Sequence, residues 1–135
     1  MKVIILGSGR VGSRLAKLLD MDGHDVTVVD RNPDQFRRLG PDFRGDSVVG
    51  TGIDEDVLRT AGIENADVFV AVTNGDNTNV MAAQIAQVMF KVPKVITRIY
   101  DPIREDVYHD MGLDTICPTT IISNMIRDDI AEETE

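Results

Sequence analysis

Three glycines, Gly7, Gly9 and Gly12, stand at G-x-G-x-x-G spacing directly after the apolar run Lys2-Val3-Ile4-Ile5-Leu6. An acidic residue, Asp30, closes the next apolar run, 18 residues after Gly12. That order is a dinucleotide-binding fingerprint: a sharp turn, a backbone free to approach a pyrophosphate, and a helix lying close on its sheet. The amides at the helix start then face an anion, and the carboxylate accepts hydrogen bonds from a ribose diol. Within the loop, Ser8 and Val11 contribute backbone more than side chain. A 2′-phosphate would be repelled by Asp30, which disfavours NADP, and Arg31 next door weakens that bias slightly.

Short apolar runs rich in β-branched residues alternate with helical patterns along the whole chain. The expected strands are Val3 to Leu6, Asp25 to Asp30, Ser47 to Gly50, Asp67 to Thr73, Val95 to Tyr100 and Thr115 to Pro118. Continuous apolarity predicts strands covered on both faces, hence a parallel sheet. The first helix carries a stripe of Val11, Leu15, Leu18 and Leu19 and stops at Gly23. Asn32-Pro33-Asp34-Gln35 reads as an N-cap, a first-turn proline and a capping-box glutamine, opening a short helix that ends near Gly40. A third helix, capped by Asp54, stops at Gly62, and a fourth runs from about Asn77 to Phe90 with Val80, Met81, Ile85, Val88 and Met89. Pro102 starts a fifth, ended by Gly112. Thr119 or Thr120 caps a sixth, whose face of Ile122, Met125, Ile126 and Ile130 is either core or a dock for a partner subunit.

Six such units with right-handed crossovers predict an α/β fold: a doubly wound Rossmann-type sheet in the order 3-2-1-4-5-6. Ligands of such sheets sit beyond the carboxyl ends of the strands, at the switch point between strands 1 and 4. The candidate site residues are those that follow each strand: Gly7, Ser8, Gly9, Arg10, Val11, Gly12, Asp30, Arg31, Thr51, Gly52, Thr73, Asn74 and Arg98. Arg98 lies among Ile96, Thr97 and Ile99, where a charge needs a partner, so a phosphate or carboxylate is expected beside it. Asp76 is read as a helix cap rather than a ligand contact.

Length and charge set the outer bounds. The 135 residues fit one domain, 1–135, with no room for a separate catalytic domain. A net charge of -9 repels a phosphate backbone and an anionic lipid surface, so nucleic acid and direct membrane binding are disfavoured. Part of that charge crowds the C-terminus in Asp128, Asp129, Glu132, Glu133 and Glu135. A lone cysteine, Cys117, cannot form an intrachain disulfide and reads as a small buried hydrophobe; no Cys/His spacing suits a metal. His24 and His109 read as structural. No run of about 18 apolar residues offers a membrane span, so the expected home is a reducing cytoplasm.

Taken together these residues resemble one family, the TrkA N-terminal, or RCK (KTN), domain of potassium channel and transporter regulators. The resemblance rests on Gly7 to Gly12, Val28-Val29-Asp30, Leu58 to Ile63 leading to Ala66-Asp67, Ala71-Val72-Thr73 with Asp76 and Asn79, then Arg98 and Gly112-Leu113-Asp114 leading to Pro118. It implies a domain that binds NAD(H) or an adenine nucleotide (ATP, ADP or AMP), pairs with copies of itself, and reports to an integral membrane potassium channel or transporter. Carried over, the loop amides hold phosphates, Asp30 the adenosine ribose, Thr51-Gly52 the adenine side and Arg98 a phosphate. Arg10 reaches a terminal phosphate or contributes across a dimer. The chain departs from many relatives by having Thr51 where an acid stands, and by lacking the smaller C-terminal sensing subdomain. It is therefore either a piece of a longer protein or a stand-alone subunit.

The competing expectation is the cofactor domain of an NAD-dependent oxidoreductase. Such enzymes need a proton donor beside the nicotinamide and a closed substrate pocket. Tyr108 is followed by His109, Asp110, Met111 and Gly112, and Tyr100 has Arg104 four residues on, so neither forms a Tyr-x-x-x-Lys pair. A regulatory, non-catalytic role is the favoured reading.

Overall fold

The computed structural model describes residues 1–134, with side chains through residue 132; of the acidic C-terminal run, the Glu133 side chain and Glu135 lie outside the described residues. Six parallel strands form one sheet: β1 (Lys2–Leu6), β2 (Asp25–Asp30), β3 (Asp46–Val49), β4 (Val68–Ala71), β5 (Lys94–Arg98) and β6 (Asp114–Ile116). Their order is β3-β2-β1-β4-β5-β6, as the alternation of runs predicts. Because β1 has β2 on one side and β4 on the other, the chain leaves its carboxyl edge in opposite directions there. That divergence opens a crevice.

Alternate residues of each strand feed two cores. One face gathers Ile4, Leu6, Phe69 and Ala71 with Leu58 of α2 (Glu55–Thr60) and Ala82 and Ala83 of α3 (Asp76–Gln84). The other gathers Val3, Ile5, Val26 and Val28 against Ala16 of α1 (Arg10–Met21) and Leu39 of a 3-10 segment (Pro33–Leu39). Helix α4 (Pro102–Asp110) covers the β6 edge, with Tyr108 packed against the first core.

Several expectations change at the helices. The segment after Asn32 is 3-10 rather than α, and its capping box does not close: Asn32 Oδ1 accepts from the Asp34 amide, but Gln35 Oε1 takes Arg38 Nε. The Asn32 amide instead donates to Asp30. Helix α3 passes at Ile85 into a π-helical turn ending at Met89. On α1 the buried face is Gly12, Ser13, Ala16 and Asp20, so Val11 and Leu18 point to solvent; on α3 and its π turn, Met81, Val88 and Met89 do the same. The physical reason is shared: small residues let these helices approach the sheet closely, and the bulky ones are turned outward.

Helix α5 (Pro118–Thr134) starts ahead of both expected caps, because Pro118 takes the first helical position. The Thr119 hydroxyl donates to the Tyr100 carbonyl and that of Thr120 to Glu105. Every residue from 121 to 132 is exposed, including Ile122, Met125, Ile126 and Ile130, so the apolar face is not core within this chain. The contrast is measurable by urea denaturation. Phe69→Ala, fully buried between the layers, is expected to lose about 3–5 kcal/mol, while Met125→Ser should stay within about 0.5 kcal/mol in the monomeric chain.

Candidate nucleotide site

The crevice at the switch point is a cleft of about 420 Å³. Its walls come from the carboxyl ends of β1, β2, β3 and β4, as chain reversal at those ends requires. Gly7 turns the chain out of β1 at φ +110°, a region that L side chains rarely adopt, and a Cβ there would lie 2.8 Å from the Val72 carbonyl oxygen. Behind the loop, a Cβ on Gly12 would overlap the Gly7 carbonyl, so α1 is able to start directly against the turn. Gly9 differs: nothing lies within 4 Å of its missing Cβ, so at this residue the loop faces open cleft. The first amides of α1 have no carbonyl one turn earlier to bind, and their partial positive charge sits at this mouth.

Asp30 is the electrostatic counterweight across the cleft. Its Oδ2 accepts from the Ser8 amide and its Oδ1 from the Asn32 amide, each at 2.8 Å. An ionised carboxylate has about four lone-pair sites, so two remain for a diol. The carboxylate thus ties the glycine loop to the turn after β2 while still lining the cleft. Ser8 is fully buried, its hydroxyl donating to the Gln35 carbonyl, and acts as a second tie between the same two segments.

The opposite lip, Thr73–Gly75, is held from behind by a buried amide. Asn79 Oδ1 accepts from the Thr73 amide at 2.9 Å and the Thr73 hydroxyl at 2.6 Å, and its Nδ2 donates to the carbonyls of Thr73 and Arg98. Arg98 completes the latch, with Nη2 donating to the carbonyls of Val72 and Thr73 at 2.8 Å each and the guanidinium 4.6 Å over the Tyr100 ring. Burial pushes the Arg98 pKa down, and Tyr100 and Asp76 oppose that shift. The partner expected for this charge is therefore present inside the protein, as two carbonyls and a ring rather than a carboxylate. Asp76 does not cap its own helix, whose N-cap is Gly75; its carboxylate accepts from the amides of Tyr100 and Asp101 and so pins the segment after β5.

Of the residues selected from the sequence, Gly7, Gly9, Asp30, Arg31, Thr51, Gly52, Thr73 and Asn74 line the cleft together. Ser8 and Gly12 lie behind it, Arg10 and Val11 are exposed on the first turn of α1, and Arg98 is buried in the latch. Sequence reasoning missed Asn32, Gln35, Ile53, Gly75 and Thr78, which also line the cleft. Asn32 and Gln35 had a local explanation as capping residues, and nothing in their spacing marked a second role. Removing the buried amide tests the latch. Asn79→Ala removes the acceptor of the Thr73 amide and the side-chain donor to the Arg98 carbonyl, and should cost about 2–4 kcal/mol by denaturant titration, with Thr73→Val costing less.

Comparison with known proteins agrees with this architecture. The TrkA-N domain model matches residues 3–119. A Trk system potassium uptake protein TrkA from Streptomyces coelicolor is 53% identical over 116 residues, 86% of this chain and 52% of that protein, so the chain spans about half of that relative's length. Among solved structures, the Kef C-terminal domain of Shewanella denitrificans in AMP-bound form superposes with a TM-score of 0.82 at 20% identity, covering all of this chain and 83% of that one. The GsuK channel bound to NAD gives 0.73 at 22% identity, over 90% of this chain and 22% of that one. At those identities the likeness concerns the fold, whereas the family follows from the model match and the close relative. By the match over residues 3–119 and the 53% identity to a Trk system protein, this chain belongs to the TrkA-N domain family.

Proposed function

We propose that the chain is a regulatory nucleotide-binding module that controls potassium transport through a membrane channel or transporter. The single observation that carries the reading is the cleft itself: amides of a helix start and an open glycine on one side, a carboxylate with free lone pairs on the other. An adenine nucleotide or NAD(H) fits that distribution. Its phosphates lie against the amides of Gly9, Arg10 and Val11, its ribose against Asp30, and its base near Thr51, Gly52 and Ile53. Arg31, Thr73 and Asn74 edge the same space, while Arg98 acts through the latch, as a positioning residue for the Thr73–Gly75 lip.

Among the described residues lining the cleft, the ionisable ones are Asp30 and Arg31, and both flank the adenosine end. That supports a switch over a catalyst, because an acid–base pair beside a nicotinamide would be needed for hydride transfer. The relatives named above support the potassium-transport setting. No described helix is long and apolar enough to cross a membrane, which supports a cytoplasmic subunit reaching its channel through protein contact. Exposed apolar residues along α5 support association with further copies of the chain.

A switch works only if competing ligands prefer different conformations; tight but equal binding shifts nothing. Competition binding with NAD, NADH, NADPH, ATP, ADP and AMP tests the site. NADPH is expected to bind weakly, and Asp30→Ala to weaken adenosine ligands about 5- to 150-fold, equivalent to about 1–3 kcal/mol. A purified chain with no affinity for any of the six would end the proposal. The switching step has its own readout: the self-association constant should differ between NADH, ATP and ADP, and equal values in all three counts against regulation by exchange.

A further inference from the structure

The end of the cleft assigned to the base is rich in hydrogen-bond donors and poor in acceptors. Arg31, Asn32, Gln35, Thr51, Gly52 and Ile53 line it. Arg31 has no ion pair or hydrogen bond among the described residues, so its guanidinium donors are uncommitted. The Asp54 amide closes a turn on the Thr51 carbonyl, and within that turn the amides of Gly52 and Ile53 donate to nothing among the described residues.

The side-chain acceptors, by contrast, are engaged. Asn32 Oδ1 takes the Asp34 amide and Gln35 Oε1 takes Arg38, which leaves the amide nitrogens of both side chains as their spare groups. Asp30 is tied to the amides of Ser8 and Asn32, and its remaining lone pairs face the ribose. Asp54 directs its carboxylate to the amides of Asp56 and Val57 and does not line the cleft. The Thr51 hydroxyl is the remaining side-chain acceptor at this end, without a donor among the described residues. A hydroxyl gives or takes a hydrogen bond by rotating.

We propose that the site takes 6-oxopurine nucleotides, those of guanine and hypoxanthine, as readily as adenine ones, with Thr51 as the residue that keeps it permissive. The inference rests on the reading of the cleft as a nucleotide site and widens its ligand class. Adenine presents an acceptor at N7 beside a donor at its 6-amino group, whereas guanine presents acceptors at both N7 and O6. A site rejects the 6-oxo group by setting a fixed acceptor against it, because both oxygens are then left unpaired. Here a rotatable hydroxyl serves either base, and Arg31 matches the O6 and N7 pair as a two-pronged donor. The turn that carries Thr51 is held in place, since Gly52 is buried and a Cβ on it would overlap the Leu6 side chain. Thr51 and Ile53 are exposed at the rim, so the 2-amino group of guanine meets water rather than a wall. A pyrimidine, with one ring, covers less of the apolar wall of Leu6, Val29 and Ile53 and is held less tightly.

Competition binding of ATP, ITP, GTP and CTP to the whole chain tests the inference. GTP and ITP are expected within about tenfold of ATP, with CTP weaker than all three. Thr51→Asp sets a fixed acceptor where the hydroxyl stands and should raise the preference for ATP over GTP about tenfold or more. Arg31→Ala should weaken GTP more than ATP, and melting temperatures report that these exposed substitutions leave the fold intact. A wild-type preference for ATP over GTP of more than about tenfold, GTP binding no tighter than CTP, or a Thr51→Asp chain with an unchanged ratio overturns the inference while the nucleotide site stands. Affinity for none of the four overturns the reading of the cleft as well.

Discussion

The glycine loop after β1 passes so near its neighbours that no side chain fits at its two ends. Gly7 lies under the Val72 carbonyl and Gly12 against Gly7, so the turn, the end of β4 and the start of α1 form one close-packed unit. This fixes where the helix amides point and sets the depth of the cleft. The remaining polar contacts around the site hold other segments to that unit. Asp30 and Ser8 fasten the turn after β2 to it, and Asn79 with Arg98 fastens the lip after β4.

Ser8, Asn79 and Arg98 are buried and Asp30 is half-buried, and burial is what gives these fasteners leverage. A carboxylate accepting two amides, and an amide side chain making four hydrogen bonds, remain stable only if every partner stays in place. The lip is therefore not independent of β5: the Arg98 carbonyl is held by Asn79, and the segment after β5 by Asp76. The root of α5 joins the same assembly through Thr119 on the Tyr100 carbonyl. A ligand that displaces the lip acts on residues already bonded to the base of α5, a helix whose apolar side lies in solvent.

The surface follows a different logic from the interior. Inside, α1 and α3 use Gly, Ala and Ser to approach the sheet, and the larger Val11, Leu18, Met81 and Val88 are left outside. Periodicity alone placed those residues on buried stripes, since a hydrophobic pattern marks a face but not which of two adjacent faces packs. On α4 and α5 the exposed apolar residues are flanked by acids, and on α1 by bases. The helix layer thus carries information about other molecules that the sheet does not.

Much of the fold was legible in the sequence because its signals are local. Continuous β-branched runs, glycine at turns and proline at helix starts fixed six strands, their order and the candidate loop, and the family likeness followed from the same residues. Asp30 could be read as a cleft carboxylate because its distance from Gly12 is set by one β-α-β unit. Arg98 and Asp76 could not, because their partners lie 24 to 26 residues away on other elements and depend on how those elements pack. Sequence determined which backbone groups would face the cleft; only the tertiary structure decided which side chains reach it and which are consumed in holding its walls, since that choice is made by burial and hydrogen-bond geometry between distant segments.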